Sequence, residues 1–360
     1  MSKIVDKSQL NRVLSFYDCS LTNSTVAPLG NGLINSTYLV RNINKNFVLQ
    51  RINRHVFKQP EQVINNAELI NQHLQTKKQQ AQYSLEPMWQ ISAKHDSPLV
   101  NIDDDYWRAI QYIPNCYTVE SVESTEQAHQ VASAFGEFTA ALSDFPANDL
   151  AEIIPDFHRL SFRLKQLKQA INSDPQGRLS NCQPLVDFCF KQIDFIEQVA
   201  ELEQSLPVQV THNDTKINNL LFNSKTEKPI AVIDLDTCMP GFIMHDFGDM
   251  VRTCCSNLPE DGTDLDNMII SVDIFAALAH AYIDSFNGKM SELEQASLIV
   301  GAQLLPFMIG VRFLTDYIDG DNYFHVEHKN HNLDRAKNQL NLFRLLNESK
   351  DQLAEIILAK

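Results

Sequence analysis

The chain has 360 residues, 44% of them hydrophobic and 21% charged, with 11 Gly and 14 Pro. These are ordinary values for a globular protein, they exclude a disordered, collagen-like or low-complexity chain, and the length corresponds to two domains or one large bilobal one. Forty-five acidic against 30 basic residues leave a formal charge of −15, a field that repels phosphate backbones and anionic lipid and argues against nucleic-acid and membrane partners, while a nucleotide carried with Mg²⁺ stays compatible.

The opening Met1-Ser2-Lys3-Ile4-Val5-Asp6-Lys7 has no apolar h-region. No uninterrupted stretch approaches the roughly 18 apolar residues of a membrane span, so a cytoplasmic location is expected. An amphipathic helix is expected over Val5–Tyr17, then strands over Thr25–Leu29, Thr37–Arg41 and Phe47–Ile52, where alternation and β-branched or aromatic residues dominate. Pro60–Thr76 carries Val63, Ile64, Ala67, Leu69, Ile70 and Leu74 at near-helical spacing, with Pro60 suited to a first turn. Two further strands, Leu99–Ile102 and Tyr106–Tyr112, are joined by the acidic turn Asp103-Asp104-Asp105.

From about Glu123 the pattern predicts long helices near 125–144, 157–171, 184–204, 265–286, 291–318 and 335–359, interrupted by a β-rich insert from Val208 to Asp236. The seven cysteines are scattered, form no C-x-x-C, and read as reduced core residues. The expected architecture is α+β and bilobal: a small N-terminal lobe, 1–112, of antiparallel sheet plus helix, and a larger, mainly helical C-terminal lobe, 113–360.

The insert holds the densest polar cluster, Thr211-His212-Asn213-Asp214-Thr215-Lys216-Ile217-Asn218-Asn219, and Asp234 follows 15 residues later in Ile233-Asp234-Leu235-Asp236. Alone, the nine residues could be an Asn- and Asp-rich turn. Phosphoryl transfer needs a carboxylate to orient the attacking hydroxyl and oxygens to hold Mg²⁺ against nucleotide phosphates, and Asp214, Asn219 and Asp234 form such a set. His212-x-Asp214-x-x-x-x-Asn219 is the small-molecule counterpart of the protein-kinase H-R-D-x-x-x-x-N.

On these residues, together with Gly30-Asn31-Gly32-Leu33-Ile34-Asn35-Ser36-Thr37-Tyr38-Leu39-Val40, Asp234 to Gly241 and Arg312-Phe313-Leu314-Thr315-Asp316-Tyr317, the chain resembles the aminoglycoside phosphotransferase and choline kinase-like family over essentially its whole length, and within it the bacterial N-acetylhexosamine 1-kinases. The resemblance implies a protein-kinase-like fold and ATP- and Mg²⁺-dependent phosphorylation of the anomeric hydroxyl of GlcNAc or GalNAc. It implies Asp214 as catalytic base, Asn219 and Asp234 as metal ligands, and Arg312 and Tyr323 as sugar contacts. The backbone from Gln111 to Ile113 would meet adenine. Kinases of homoserine, choline or methylthioribose are rival readings within the fold, and a catalytically dead nucleotide-binding pseudokinase is the rival of another class.

Gly30-Asn31-Gly32 lies between two strands, where Gly32 would help backbone N–H groups cover phosphates or would simply make a turn. Phe47-Val48-Leu49-Gln50 ends in Gln50 where protein kinases carry the lysine of V-A-I-K, and Glu68 is a candidate partner for it. Asp236 shares a face with Asp234 without having to touch metal. Asp246-Phe247-Gly248 spells the protein-kinase metal motif but lies 32 residues past Asp214, after a Pro-Gly turn, where a carboxylate is better suited to bracing the loop's backbone amides. Arg312 is the only charged residue between Glu294 and Asp316; it needs a ligand, a wet cleft, or an ion pair with Asp316 or Asp319. His325, Glu327, His328 and His331 fit no ordinary zinc spacing and read as a solvated face. Trp89 and Trp107 read as packing residues.

Overall fold

The computed structural model describes residues 6–30 and 34–360. Helix α1 (Lys7–Ser15) turns Leu10, Val13 and Leu14 onto an antiparallel sheet. The sheet runs β1 (Ser24–Pro28), β2 (Ser36–Asn42), β3 (Asn46–Ile52), β6 (Asp105–Gln111), β4 (Gln90–Ile91), with β5 (Val100–Ile102) also on β6. Val40, Phe47, Leu49, Trp107 and Ala109 form its buried face beneath α1. Asp103 and Asp104 have φ of 54° and 63°, the left-handed pair that lets a two-residue turn follow the sheet's twist, and Asp105 already belongs to β6. The two-residue β4 is too short to leave an alternation in the sequence.

Helix α2 (Pro60–Gln79) has Pro60 in its first turn, where a missing N–H costs nothing. Its Ala67, Ile70 and Leu74 pack with α3 (Thr125–Ala141), while Val63 and Ile64 meet Ile153 and Met239. The fully buried Asn66 donates to Ala151 O at 2.8 Å and Cys238 O at 3.1 Å, so α2 is tied to the segment just after Asp234 and Asp236.

The remainder is mainly helical. Helix α4 is Leu160–Ser173, and the expected 184–204 helix is two, α5 (Gln183–Phe190) and α6 (Ile193–Ser205). The side-chain amide of Gln192 donates to Phe188 O at 3.1 Å, ending α5 by satisfying one of its last carbonyls. After α7 (Ile243–Cys254), α8 spans Val272–Ser285 rather than starting at 265, because the Ser271 hydroxyl caps the Ile274 amide. The 335–359 expectation divides into α10 (His331–Glu348) and α11 (Lys350–Leu358).

Helix α9 (Glu292–Asp319) begins with a capping box between Ser291 and Glu294. It is long and apolar enough to cross a membrane, but its most apolar stretch is 78% buried inside the protein. It lies so close to α7 that a Cβ on Gly248 would overlap the Gly301 carbonyl, and one on Gly301 would overlap that of Met244. Only glycine at both positions lets these two backbones touch.

The β-rich insert forms two small ladders. Strand β9 (Leu220–Asn223) pairs with β10 (Pro229–Val232) and with β7 (Cys116–Tyr117), and β8 (Gln209–Thr211) pairs with β11 (Met239–Gly241). Pro240-Gly241, expected as a turn, is therefore strand; Pro240 sits opposite Val210 in a two-stranded ladder, which has an outer side needing no donor. All seven cysteines are free thiols, and only Cys116 is not fully buried.

Candidate functional site

The short strand β8 delivers the 212–219 loop into a bed of backbone hydrogen bonds. His212 is fully buried; its Nε2–H donates to Ile233 O at 3.0 Å and its Nδ1 accepts the Asp214 amide at 3.3 Å. One neutral imidazole thus links the loop to the strand that carries Asp234, and burial pushes its pKa down, as that role requires. Asn213 adopts φ 64°, and its side chain holds Thr211 O and Thr237 O at 3.2 and 2.9 Å. Asp246, on α7, accepts the amides of His212 and Asn213 at 2.9 and 2.7 Å. The Asp-Phe-Gly string is thus helical: Asp246 braces the loop, Phe247 is core, and Gly248 is the point of closest helix contact.

So held, Asp214 projects a carboxylate with Lys216 Nζ 2.9 Å from Oδ1 and Asn219 Nδ2 2.9 Å from Oδ2. Enclosure by protein pushes its pKa up, but the Lys216 ammonium, then His212 and the Asn219 donor, outweigh that and bring it down to about 2. The group is ionised and acceptor-only at neutral pH, the state that can receive a hydrogen bond from an incoming hydroxyl. Lys216 is a neighbour that motif spacing alone does not single out; its signal is a cation two residues from the carboxylate, on a loop that doubles back.

Asp234 takes φ 60° at the end of β10, with its side chain open to solvent. Enclosure by the cleft, tempered by that solvent, and then the charges of Asp236 and Asp214 push its pKa upward. A carboxylate crowded by two others is a place for a cation. Asn219 spends its amide N–H₂ on Asp214 and leaves its oxygen without a donor among the described residues, so the set on offer is all oxygen. That chemistry fits Mg²⁺, which takes one or two protein oxygens and completes its shell with phosphates and water.

Asp236 is almost fully buried and faces away from that set, pairing with Arg108 Nη2 at 2.5 Å and accepting from Asn35 Nδ2 at 2.7 Å. Gln50 does not pair with Glu68. Its oxygen accepts Arg108 Nε and Nη2 at 2.9 and 2.7 Å and its amide donates to Thr37 Oγ1 at 3.0 Å, whereas Glu68 accepts from Gln72 on its own helix. Arg51 points to the opposite face, with Asp105 at 3.5 Å.

Arg312 forms no ion pair with Asp316 or Asp319. It is half-buried among the rings of Phe157, Tyr323 and Phe324, at 5.3, 5.7 and 5.3 Å from their centroids. Asp316 instead accepts the amides of Asn322, Tyr323 and Phe324 at 2.8–2.9 Å, which fixes the turn that presents Tyr323 to Arg312. The cation has cationic neighbours: Arg163, lowered to about 10 by burial and then by the charge of Arg312, and Arg252, paired with Asp249 and Glu260.

Gly32 lies outside the described residues. The Gln111 amide is taken by Trp89 O at 2.8 Å, while the Ile113 amide donates to none of the described residues. Trp107 is core, whereas Trp89 is half-buried beside Gln111. His331 is not on a solvated face: it is buried, its Nδ1 accepts the Glu327 amide at 3.1 Å, and its Nε2 faces Asp261 at 3.3 Å.

Residues 25–284 match the phosphotransferase enzyme family abbreviated APH. Three solved structures share the fold over nearly the whole of both chains. An aminoglycoside phosphotransferase from Alicyclobacillus acidocaldarius is 12% identical, with a TM-score of 0.63 and coverage of 100% of this chain and 98% of that one. A choline kinase from Cryptosporidium parvum is 14% identical, with a TM-score of 0.60 and coverage of 98% and 99%. A spectinomycin phosphotransferase in complex with ADP and spectinomycin is 11% identical, with a TM-score of 0.56 and coverage of 99% of each. The mixed α+β arrangement, antiparallel sheet first and helices after, is thus protein-kinase-like.

Behind the 212–219 loop, His158 Nε2 donates to Asn213 O at 3.0 Å and its ring lies 5.2 Å from that of His245. Both histidines are buried, and neither His245 nitrogen has a hydrogen-bond partner among the described residues. Burial pushes His245 down to about 3. The unfolded chain takes up a proton at this ring below about pH 6.5 and the folded one does not, so stability is full above that pH and falls at about 1.4 kcal/mol per pH unit as the solution is acidified. His245→Phe is expected to lose about 2 kcal/mol less than wild type between pH 7 and pH 5 by urea denaturation; parallel losses would contradict this.

Proposed function

The chain belongs to the phosphotransferase enzyme family, and on that premise we propose that it transfers the γ-phosphate of ATP to the anomeric hydroxyl of an N-acetylhexosamine such as GlcNAc or GalNAc, giving the 1-phosphate. Residues 1–112 would hold the nucleotide and 113–360 the acceptor. The observation that carries the choice of acceptor is Arg312, a cation ringed by aromatics, beside Arg163 and with no carboxylate in ion-pair range among the described residues; its other neighbour, Arg252, is already paired with Asp249 and Glu260. Such a pocket repels a quaternary ammonium or protonated amine and offers forked donors to neutral oxygens. That favours a sugar over choline, homoserine or other amino-bearing acceptors.

In this reading Asp214 is the catalytic base. It accepts a hydrogen bond from the acceptor hydroxyl, aims its lone pair along the line of transfer, and takes the proton as the new O–P bond forms. Lys216 keeps Asp214 ionised and faces the transferring phosphoryl group with positive charge. Asp246 and His212 keep the loop from moving as charge shifts, so most of the catalysis is positioning. Asn219 and Asp234 would hold Mg²⁺, which when bound neutralises charge on the β- and γ-phosphates. The Gln111 carbonyl and the Ile113 amide, which donates to none of the described residues, would meet adenine, and Arg312 with Tyr323 would orient the sugar.

Two variants test these roles in a coupled ADP-release assay, with the product's phosphorylated carbon located by ³¹P NMR. Asp214→Asn should lower kcat by about 10³-fold or more while Mg·ATP binding persists; wild-type kcat would remove Asp214 as base. Arg312→Ala should raise KM for GlcNAc at least about tenfold with KM for ATP within about twofold, and equal rises in both would make Arg312 a structural residue.

A further inference from the structure

Phosphoryl transfer in this fold puts a cation on the third strand to meet the nucleotide's phosphates, and here that position is Gln50, a neutral amide that can hydrogen-bond a phosphate but not neutralise it. The sheet supplies a cation from the next strand over. Strands β3 and β6 are antiparallel with Gln50 directly opposite Arg108, and residues so opposed project from the same face with their Cβ atoms about 4.5–5.5 Å apart. The Arg108 guanidinium therefore lies across the end of Gln50.

Its donors can be accounted for one by one. Nε and Nη2 are both received by Gln50 Oε1, which is itself held in place by the bond from its amide to Thr37. Nη2 also meets Asp236 Oδ1 at 2.5 Å, and the other oxygen of Asp236 is taken by Asn35. Nη1 donates to none of the described residues, yet it is not among the fully buried atoms that lack a partner, so the sliver of this 2%-exposed residue that meets solvent includes Nη1. Structural duty thus occupies two of the three nitrogens and leaves the third to solvent, while the carboxylate partner, Asp236, lies two residues along the chain from Asp234.

Resting on the kinase reading, we infer that Arg108 replaces the strand lysine: Nη1 donates to an α- or β-phosphate oxygen of the nucleotide, Gln50 is the positioning residue that aims it, and Asp236 is its counter-ion. A guanidinium suits this relocation, because one face of its planar fork can be anchored while the other stays free to bind phosphate, whereas an ammonium has no such division. The arrangement also accounts for Glu68. With the counter-ion supplied by Asp236, the helix α2 has no cation to hold, and Glu68 bonds to Gln72 instead.

Because Arg108→Gln alone strands the Asp236 charge, the test pairs it with Asp236→Asn, which removes both charges together, and adds Gln50→Lys/Arg108→Gln, which returns the cation to the third strand. Mg·ADP affinity is read by calorimetry, and KM for Mg·ATP and for acceptor by ADP release. Expected are a loss of about tenfold or more in Mg·ADP affinity and a matching rise in KM for ATP in the neutral pair, an acceptor KM within about twofold of wild type, and recovery of most nucleotide affinity in the relocated-lysine variant. A folded neutral pair that binds Mg·ADP as tightly as wild type overturns the inference and leaves the kinase reading intact. A wild-type protein that binds no nucleotide overturns both, and one that binds it Arg108-dependently without phosphorylating any sugar discards only the acceptor.

Discussion

The Arg108–Asp236 pair is the constraint around which the site is built. Both side chains are at most 3% exposed, and an ion pair so deprived of water persists only when its remaining donors and acceptors are satisfied. Gln50 on β3, itself held by Thr37 on β2, receives Nε and Nη2, and Asn35 just before β2 donates to Asp236 Oδ2, which leaves only Nη1 to solvent. Removing one partner from such a pair costs about 3–5 kcal/mol, because the other is left charged and buried. The pair joins the sheet to the segment after β10, so the sheet cannot shift without moving Asp236, and Asp236 cannot move without Asp234. The left-handed backbone at Asp234, unusual for a residue with a side chain, is held in place from both sides by this tie and by the His212 bond to Ile233 O.

A second set of contacts stiffens the loop from below. Asp246 receives two of its amides, and Asp246 can reach them because α7 sits against α9 at glycine–glycine distance. Helix α9, carrying Gly301 in its first half, presents Arg312 from its second half to the rings of Phe157, Tyr323 and Phe324. One buried helix therefore sets both the height of the Asp214 loop and the position of Arg312, and it is the length and apolarity required for that double contact that give it the look of a membrane span.

Much of this was legible in the sequence. Periodicity located the first three strands and α2 because each buries a single face, and the polar cluster at 212–219 stood out because polar residues bracketed by short strands have no packing reason to be there. Asp246 was readable as a brace from its distance to Asp214. What periodicity could not reach were contacts set by register and by turns. The Gln50–Arg108 opposition depends on how β3 pairs with β6 across an intervening helix, and Arg108 by itself is one arginine in a strand. The placement of Asp316 under Tyr323, rather than beside Arg312, depends on a turn after α9 that a helical-spacing rule does not describe. The helix breaks at Gln192 and Ser271 come from single side-chain caps within otherwise helical sequence, signals worth about 1 kcal/mol that apolar patterning outweighs.

The proposed preference for neutral sugars over cationic alcohols rests on Arg312 and the rings around it. The most direct measurement is kcat/KM with Mg·ATP for GlcNAc and GalNAc beside choline and ethanolamine under one set of conditions. The account predicts that at least one hexosamine exceeds both amino alcohols by about 100-fold or more; an amino alcohol that matches or exceeds both hexosamines would contradict it.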